Sequence, residues 1–361
     1  MRKDITKEAF LPLVRLGLDN HVGCLPPELD WNAIKLLAEE QGLSAILLDG
    51  IEALKKRNSQ VNLPEKRMLR QWIGEVLQGY EHRYELYCRA ISEMSAFYNA
   101  HSLKMMVVKG YACSLDWPKP EHRPTGDIDI WQFGEYKKAD ALLTSEKGVV
   151  VDNSHHHHTV FTWRGFSVEN HYDFINVHHH KSHKALEKIL KEKAKDDSFS
   201  TVLNGEKVYL PSPDLHALFL LKHLMLHFAS GEINLRQVLD WAFFLEKHGT
   251  EVDWDWFQSV LDNFYMREFF HIVNAICEED LGFQSRYFQC DQVSPVLKDR
   301  VMEDIMNPRF GEKPRNLFAR VVWKLRRWGA NSWKHKLCYE ESLWSAFWSG
   351  VWNHLLKPSS I

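Results

Sequence analysis

The chain has no run of about eighteen apolar residues, the least a membrane-crossing helix needs, so no spanning helix is expected. No apolar segment follows Met1-Arg2-Lys3-Asp4, so no secretory signal is expected either. The six cysteines (Cys24, Cys88, Cys113, Cys277, Cys290 and Cys338) include no CxxC pair and read as reduced structural thiols of a cytoplasmic protein. Neither sign of charge dominates: 45 Lys and Arg against 48 Asp and Glu leave a net charge of −3. That balance gives no general attraction to nucleic acid. Internal repeats and low-complexity linkers are also missing. A composition 45% hydrophobic and 26% charged excludes a disordered chain, and 361 residues give room for about two or three domains.

What the chain does have is concentrated at Arg123-Pro124-Thr125-Gly126-Asp127-Ile128-Asp129-Ile130-Trp131. In a strand, side chains two apart share a face, so Asp127 and Asp129 would project together while Ile128 and Ile130 face the core. Two adjacent carboxylates repel, and a fold tolerates them mainly with a cation between them. Oxygen ligands favour a hard divalent ion such as magnesium, which commonly accompanies phosphate. Upstream, the apolar run Met105-Met106-Val107-Val108 breaks at Lys109-Gly110. There a lysine charge and exposed backbone N–H groups can meet a phosphate. Downstream, Phe166 to Phe174 alternates, with Glu169, His171 and Asp173 on one face. Glu169 is then a third carboxylate for a two-metal site, and His171 can orient the metal or the substrate.

The order Val-Val-Lys-Gly, Arg-Pro-Thr-Gly-Asp-Ile-Asp-Ile, Val-Glu-Asn-His-Tyr resembles the uncharacterised bacterial nucleotidyltransferase-like proteins of the DNA polymerase β superfamily. The resemblance extends to Ala38–Leu47 and to the stretch from Pro213-Asp214-Leu215 through Leu235–Asp240, covering roughly residues 30 to 245. It implies that Asp127 and Asp129 are paired metal ligands and Glu169 the third carboxylate. It further implies that Lys109 and Gly110 stand where the superfamily usually has a Gly-Ser phosphate turn. Residues 111 to 126 separate that turn from Asp127, a wider gap than in the minimal motif.

The expected fold is α+β: a small polymerase-β-like core with a mixed sheet, flanked by helical segments. We expect an N-terminal helical segment over 1–100, the α/β core over 101–182, a helical domain over 183–300 and a basic, Trp-rich helical tail over 301–361. A long helix is expected over 65–100. Within the core, strands are expected at 105–108, 127–132, 148–163 and 166–176, with helices near 111–117 and 135–146. A charged helix (183–195), a hairpin (199–210) and a helix opening at Ser212-Pro213-Asp214 follow.

Two histidine groups stand out, His155–His158 and the set His178, His179, His180 and His183. If the first lies in a strand, alternate members face opposite ways and two at most serve one site. A zinc or nickel site and a solvent-facing strand are both open readings. His223 and His227 share a helical face but lack the Glu of a His-Glu-x-x-His zinc motif, which favours packing. On the same helix, Lys222 would reach a triphosphate. Arg123 can contact phosphate or fix its loop, and Arg236 and Asp240, four apart, read as a helix-surface ion pair. Lys313 to Lys336 holds eight Lys and Arg and no Asp or Glu, with Trp323, Trp328 and Trp333; Trp344, Trp348 and Trp352 follow. Residues 313–352 would either dock on the protein or lie peripherally on an anionic membrane.

The sequence thus points to an enzyme moving a nucleoside monophosphate from an NTP to an unidentified hydroxyl or phosphate acceptor. Asp127, Asp129 and Glu169 would hold two Mg2+ ions, while Lys109, Gly110, Arg123, Gly126 and His171 would bind the nucleotide. A small molecule or protein acceptor is favoured over nucleic acid. The alternatives are a catalytically silent binding or assembly protein on the same fold and a His-rich metal-binding protein.

Overall fold

The computed structural model describes residues 5–20, 25–57, 60–177, 180–288, 293–307 and 316–340. Its centre is a mixed six-stranded sheet of β1 (Met106–Val108), β2 (Ile128–Trp131), β3 (His158–Trp163), β4 (Phe166–His171), β5 (Ser200–Leu203) and β6 (Glu206–Tyr209), in the order β3-β4-β2-β1-β6-β5. The β4/β2 and β1/β6 pairs are parallel and the other three antiparallel. With helices on both sides, this is the α+β architecture the sequence implied. The 199–210 hairpin extends the same sheet, so two of its strands come from beyond residue 182.

The central strands are short and apolar because both their faces are covered. Val107, Ile128, Ile130 and Val168 pack with Tyr87, Ile91 and Met94 of the Arg83–Ala100 helix. Met106, Val108 and Trp131 face a larger helical core containing Phe219, Leu220 and Leu221 of the Pro213–Ser230 helix. Ser212 caps that helix through the Leu215 N–H, with Pro213 in its first turn, as the sequence foretold.

The expected helix over 65–100 is present as one continuous helical run, Lys66–Val76 and Arg83–Ala100 joined by a π-helical turn over Leu77–His82 that contains Gly79. The N-terminal helices brace the far wall of the site: Gln41 accepts from the Leu235 N–H (2.8 Å) and donates to the Ile305 carbonyl (3.2 Å). No helix among the described residues is long and apolar enough to cross a membrane. Trp333 packs edge-on against Phe228 and under the Arg300 guanidinium, docking this part of the tail; Trp344, Trp348 and Trp352 lie outside the described residues.

Glu187, on the Lys181–Lys193 helix, fixes the chain just after β4. Its buried carboxyl accepts the Phe174 and Ile175 N–H groups at 3.0–3.1 Å. Burial, only partly offset by those donors, raises its pKa to about 7 from 4.5. Between these values the folded chain keeps a proton that the unfolded chain has released. Stability from this group is therefore complete below about pH 4.5 and is lost as pH rises through about 7. Wild type should lose more thermal stability between pH 5 and pH 8 than Glu187→Gln, and equal slopes in paired melts would contradict this.

Candidate active site

A cavity of about 470 Å³ opens between the sheet and the helices Pro213–Ser230 and Leu235–His248. Lys109, Gly110, Arg123, Gly126, Asp127, Asp129 and Glu169 all line it. Seven of the eight residues singled out from sequence thus come together, and the eighth, His171, touches Asp129. The register explains this: Asp129 of β2 lies opposite Glu169 of β4 on one side and opposite Val108, the residue before Lys109, on the other. Asp127 precedes β2 and is exposed, whereas Asp129 is buried at 2% exposure.

Asp129 is the electrostatic hub. Its Oδ1 accepts from Lys109 Nζ at 2.7 Å and lies 2.9 Å from His171 Nε2. Burial alone would raise its pKa, but Lys109 and His171 outweigh burial and hold it far below the usual range. Burial likewise disfavours charge on Lys109 and His171, and Asp129 overrides it, so both pKa values rise. Partial shielding of its carboxyl from water by the cavity walls lifts Asp127, and the like charge of Asp129 lifts it further. Glu169 is lowered: burial works against its charge, and the His171 hydrogen bond prevails. Two neighbouring carboxylates with pKa values pushed apart can fill different roles.

Lys109 has φ +51° and ψ −124°, a conformation L-residues rarely adopt and worth roughly 1–3 kcal/mol of strain. The strain sits where the Lys109 side chain turns onto Asp129. Gly110 also has a steric reason to be glycine. A Cβ there would lie 2.3 Å from Tyr87 Oη, the hydroxyl that donates to the Asp127 carbonyl at 2.9 Å. Gly110→Ala should therefore displace the Tyr87–Asp127 tie, costing about 1–3 kcal/mol and weakening ligand binding. Tyr87→Phe, which drops the tie without a clash, should weaken binding with a smaller stability loss. Unchanged binding in both variants would contradict this role for Tyr87.

Arg123 serves its loop. Its guanidinium grips Asp240 with two bonds (Nε to Oδ1 2.7 Å, Nη2 to Oδ2 2.9 Å), and Trp117 Nε1 donates to the same carboxylate at 2.9 Å. Asp240 is thereby taken by Arg123, which corrects the expected surface pair with Arg236. Arg236 instead lines the cavity, and its buried Nε has no hydrogen-bond partner. Burial first, then the charge of Arg123, lower its pKa. Lys222 is not among the lining residues: it is buried, 5.0 Å over the Tyr339 ring.

The far wall was the part sequence reasoning missed. His223 and His227 face the cavity with their Nε2 atoms 3.0 Å apart, and Glu232 joins them. Their i, i+4 spacing was the available signal, but it does not distinguish a cavity from a core. His157 and His158 also line the cavity, although adjacent strand residues should point apart. β3 begins only at His158, so pleat alternation does not bind His157. Burial, with smaller contributions from neighbouring charges, pushes His157 down to about 3 and His158 to about 4. The second histidine group behaves differently: His180 stacks on Tyr339 at 3.9 Å and His183 Nδ1 bonds the Asn176 carbonyl, while His178 and His179 lie outside the described residues.

Asp129, Glu169 and His171 offer donor atoms within 4.8 Å of one another, so two carboxylates and an imidazole fit a divalent cation.

No curated protein matches the chain significantly. Among solved structures, an antigenic nucleotidyltransferase-like protein from Paracoccidioides brasiliensis aligns at 14% identity, over 44% of this chain and 75% of its own, with a TM-score of 0.31. The model of the family described as "Uncharacterised nucleotidyltransferase" matches residues 27–282, a span that holds every residue of the cavity. The chain belongs to this family of uncharacterised nucleotidyltransferases.

Proposed function

We propose that the cavity is the active site of a polymerase-β-like nucleotidyltransferase that moves a nucleoside monophosphate from an NTP to a hydroxyl or phosphate acceptor. The observation that carries this reading is the register of Asp129 with Glu169 on adjacent parallel strands, with Asp127 two residues upstream. Asp127, Asp129 and Glu169 would hold two magnesium ions. Bound there, the ions supply charge that lowers the pKa of an acceptor hydroxyl and neutralises the leaving pyrophosphate.

The chain's own groups do the rest. Lys109 lies on the sheet side of the cavity and Arg236 on the helical side, so a triphosphate between them meets a cation from each wall. The Arg236 Nε without a partner is a donor ready for a phosphate oxygen. Glu169, half-buried and held charged by His171, is placed to take the acceptor proton. Arg123 is spent on Asp240 and acts by holding the loop that carries Asp127. An acidic overall balance favours a small molecule or a protein as acceptor.

The Lys109–Asp129 ion pair supports a second reading, a silent binding protein in which a side chain neutralises the metal ligand. Calorimetric titration with ATP, GTP, CTP and UTP, with and without magnesium, separates the two. Magnesium-dependent binding of one NTP is the expected result, and binding of none under either condition would contradict transferase function.

A further inference from the structure

The carboxylates do not stand alone in the cavity. His171 belongs to two sets of mutually close donor atoms, one with Asp129 and Glu169, the other with His157 and His158. The three imidazole rings lie 4.2 Å (His157–His158), 5.3 Å (His158–His171) and 5.9 Å (His157–His171) apart. Magnesium is served by oxygen; neutral imidazole nitrogen suits first-row transition metals and zinc.

The orientation of His171 is independent of that proximity. Its Nδ1 is 3.2 Å from the Asp173 carbonyl, which can only accept, so Nδ1 carries a hydrogen and donates it. Nε2 is then aimed at two further acceptors, Asp129 Oδ1 at 2.9 Å and Glu169 Oε2 at 3.5 Å. Only a proton or a metal ion on Nε2 reconciles these neighbours. An Nδ1–H bound to a backbone carbonyl is the usual way a metal-ligating imidazole is held in its tautomer.

His158 gives a third observation. It is 6% exposed, its Nδ1 has no hydrogen-bond partner, and Glu169 Oε2 lies 3.7 Å from that nitrogen. The buried Nδ1 of His157 is likewise without one. Orphaned buried nitrogens cost about 1–3 kcal/mol each unless something satisfies them. The segment is also fixed: the Tyr172 and Asp173 N–H groups both donate to the His157 carbonyl at 3.0 Å. This ties the two histidines to the turn that follows His171.

We propose that His157, His158 and His171, with Asp129 and Glu169, form a mixed imidazole–carboxylate centre that takes a borderline dication of the zinc, cobalt or nickel class. The inference rests on the nucleotidyltransferase reading of the same cavity and deepens it, naming the kind of ion these residues take in the nucleotide-free chain.

The test uses the untagged full chain, stripped with a chelator and titrated with Co2+, followed by visible absorption and calorimetry without nucleotide. The expected result is one tightly bound equivalent with cobalt–nitrogen bands, displaced by Zn2+ but not by an approximately 100-fold excess of Mg2+. His157→Ala/His158→Ala should weaken binding more than about tenfold, while His82→Ala, a distant surface change, should not. If the double variant melts early, His158→Gln keeps the volume and carries the same expectation. Absence of the bands, displacement by Mg2+, or binding within about twofold of wild type in the folded histidine variant would overturn the centre. A failed cobalt result beside intact magnesium-dependent NTP binding overturns this inference alone. A cobalt centre in a chain that binds no NTP with any metal overturns the transferase reading alone.

Discussion

Asp127→Asn combined with Asp129→Asn should abolish magnesium-dependent nucleotide binding in a chain that remains folded. Each substitution keeps the shape of the side chain and removes one negative charge. The affinity of a hard dication depends on those charges, because an amide oxygen is a far weaker ligand than a carboxylate. The loss should reach several kcal/mol, on the order of 10³-fold in binding. Stability should change less. Lys109 loses the charge of its 2.7 Å partner but keeps an amide oxygen to donate to and the field of Glu169 beside it. The cost should be about 1–3 kcal/mol, that of a charge-assisted hydrogen bond weakened to a neutral one. Calorimetry with the preferred NTP and a parallel thermal melt check both halves. Binding within about threefold of wild type would make the carboxylates structural, since loss of the metal ligands should cost far more.

The second large effect lies away from the chemistry. Arg123→Ala should destabilise the chain by about 3–5 kcal/mol, because it strips both bonds from a buried carboxylate. Arg123 and Asp240 are 5% and 4% exposed, and Trp117 alone cannot offset the charge left on Asp240. Arg123→Lys should fall between, since an ammonium cannot reproduce the two-pronged grip. Arg123→Ala/Asp240→Asn should recover part of the loss by removing the stranded charge. Equilibrium denaturation of the four chains measures this, and a loss below about 1 kcal/mol for Arg123→Ala would show that the pair does not anchor the loop.

The near wall of the site was legible in the sequence because it is written in strand alternation and turn residues. The order Lys109-Gly110, Asp127-x-Asp129, Glu169-x-His171 places each group at a strand end or on one face, and the β1–β2–β4 register brings them together. The far wall was not legible, because it depends on pairing between distant residues. Asp240 is four residues from Arg236 but bonds Arg123, 117 positions away, which leaves Arg236 to the cavity. His157 escaped the alternation rule because the strand starts one residue later. The hairpin over 199–210 was visible as a hairpin. Its place in the sheet was not, because the parallel pairing of β6 with β1 leaves no local mark.

The most direct test of the central claim is a crystal structure with a non-hydrolysable NTP analogue and Mn2+, with the ion located by anomalous scattering. An anomalous peak coordinated by Asp129 and Glu169, with the triphosphate between Lys109 and Arg236, is the expected result. Nucleotide and manganese bound elsewhere, or a cavity in which Lys109 still covers Asp129 at saturating ligand, would contradict it.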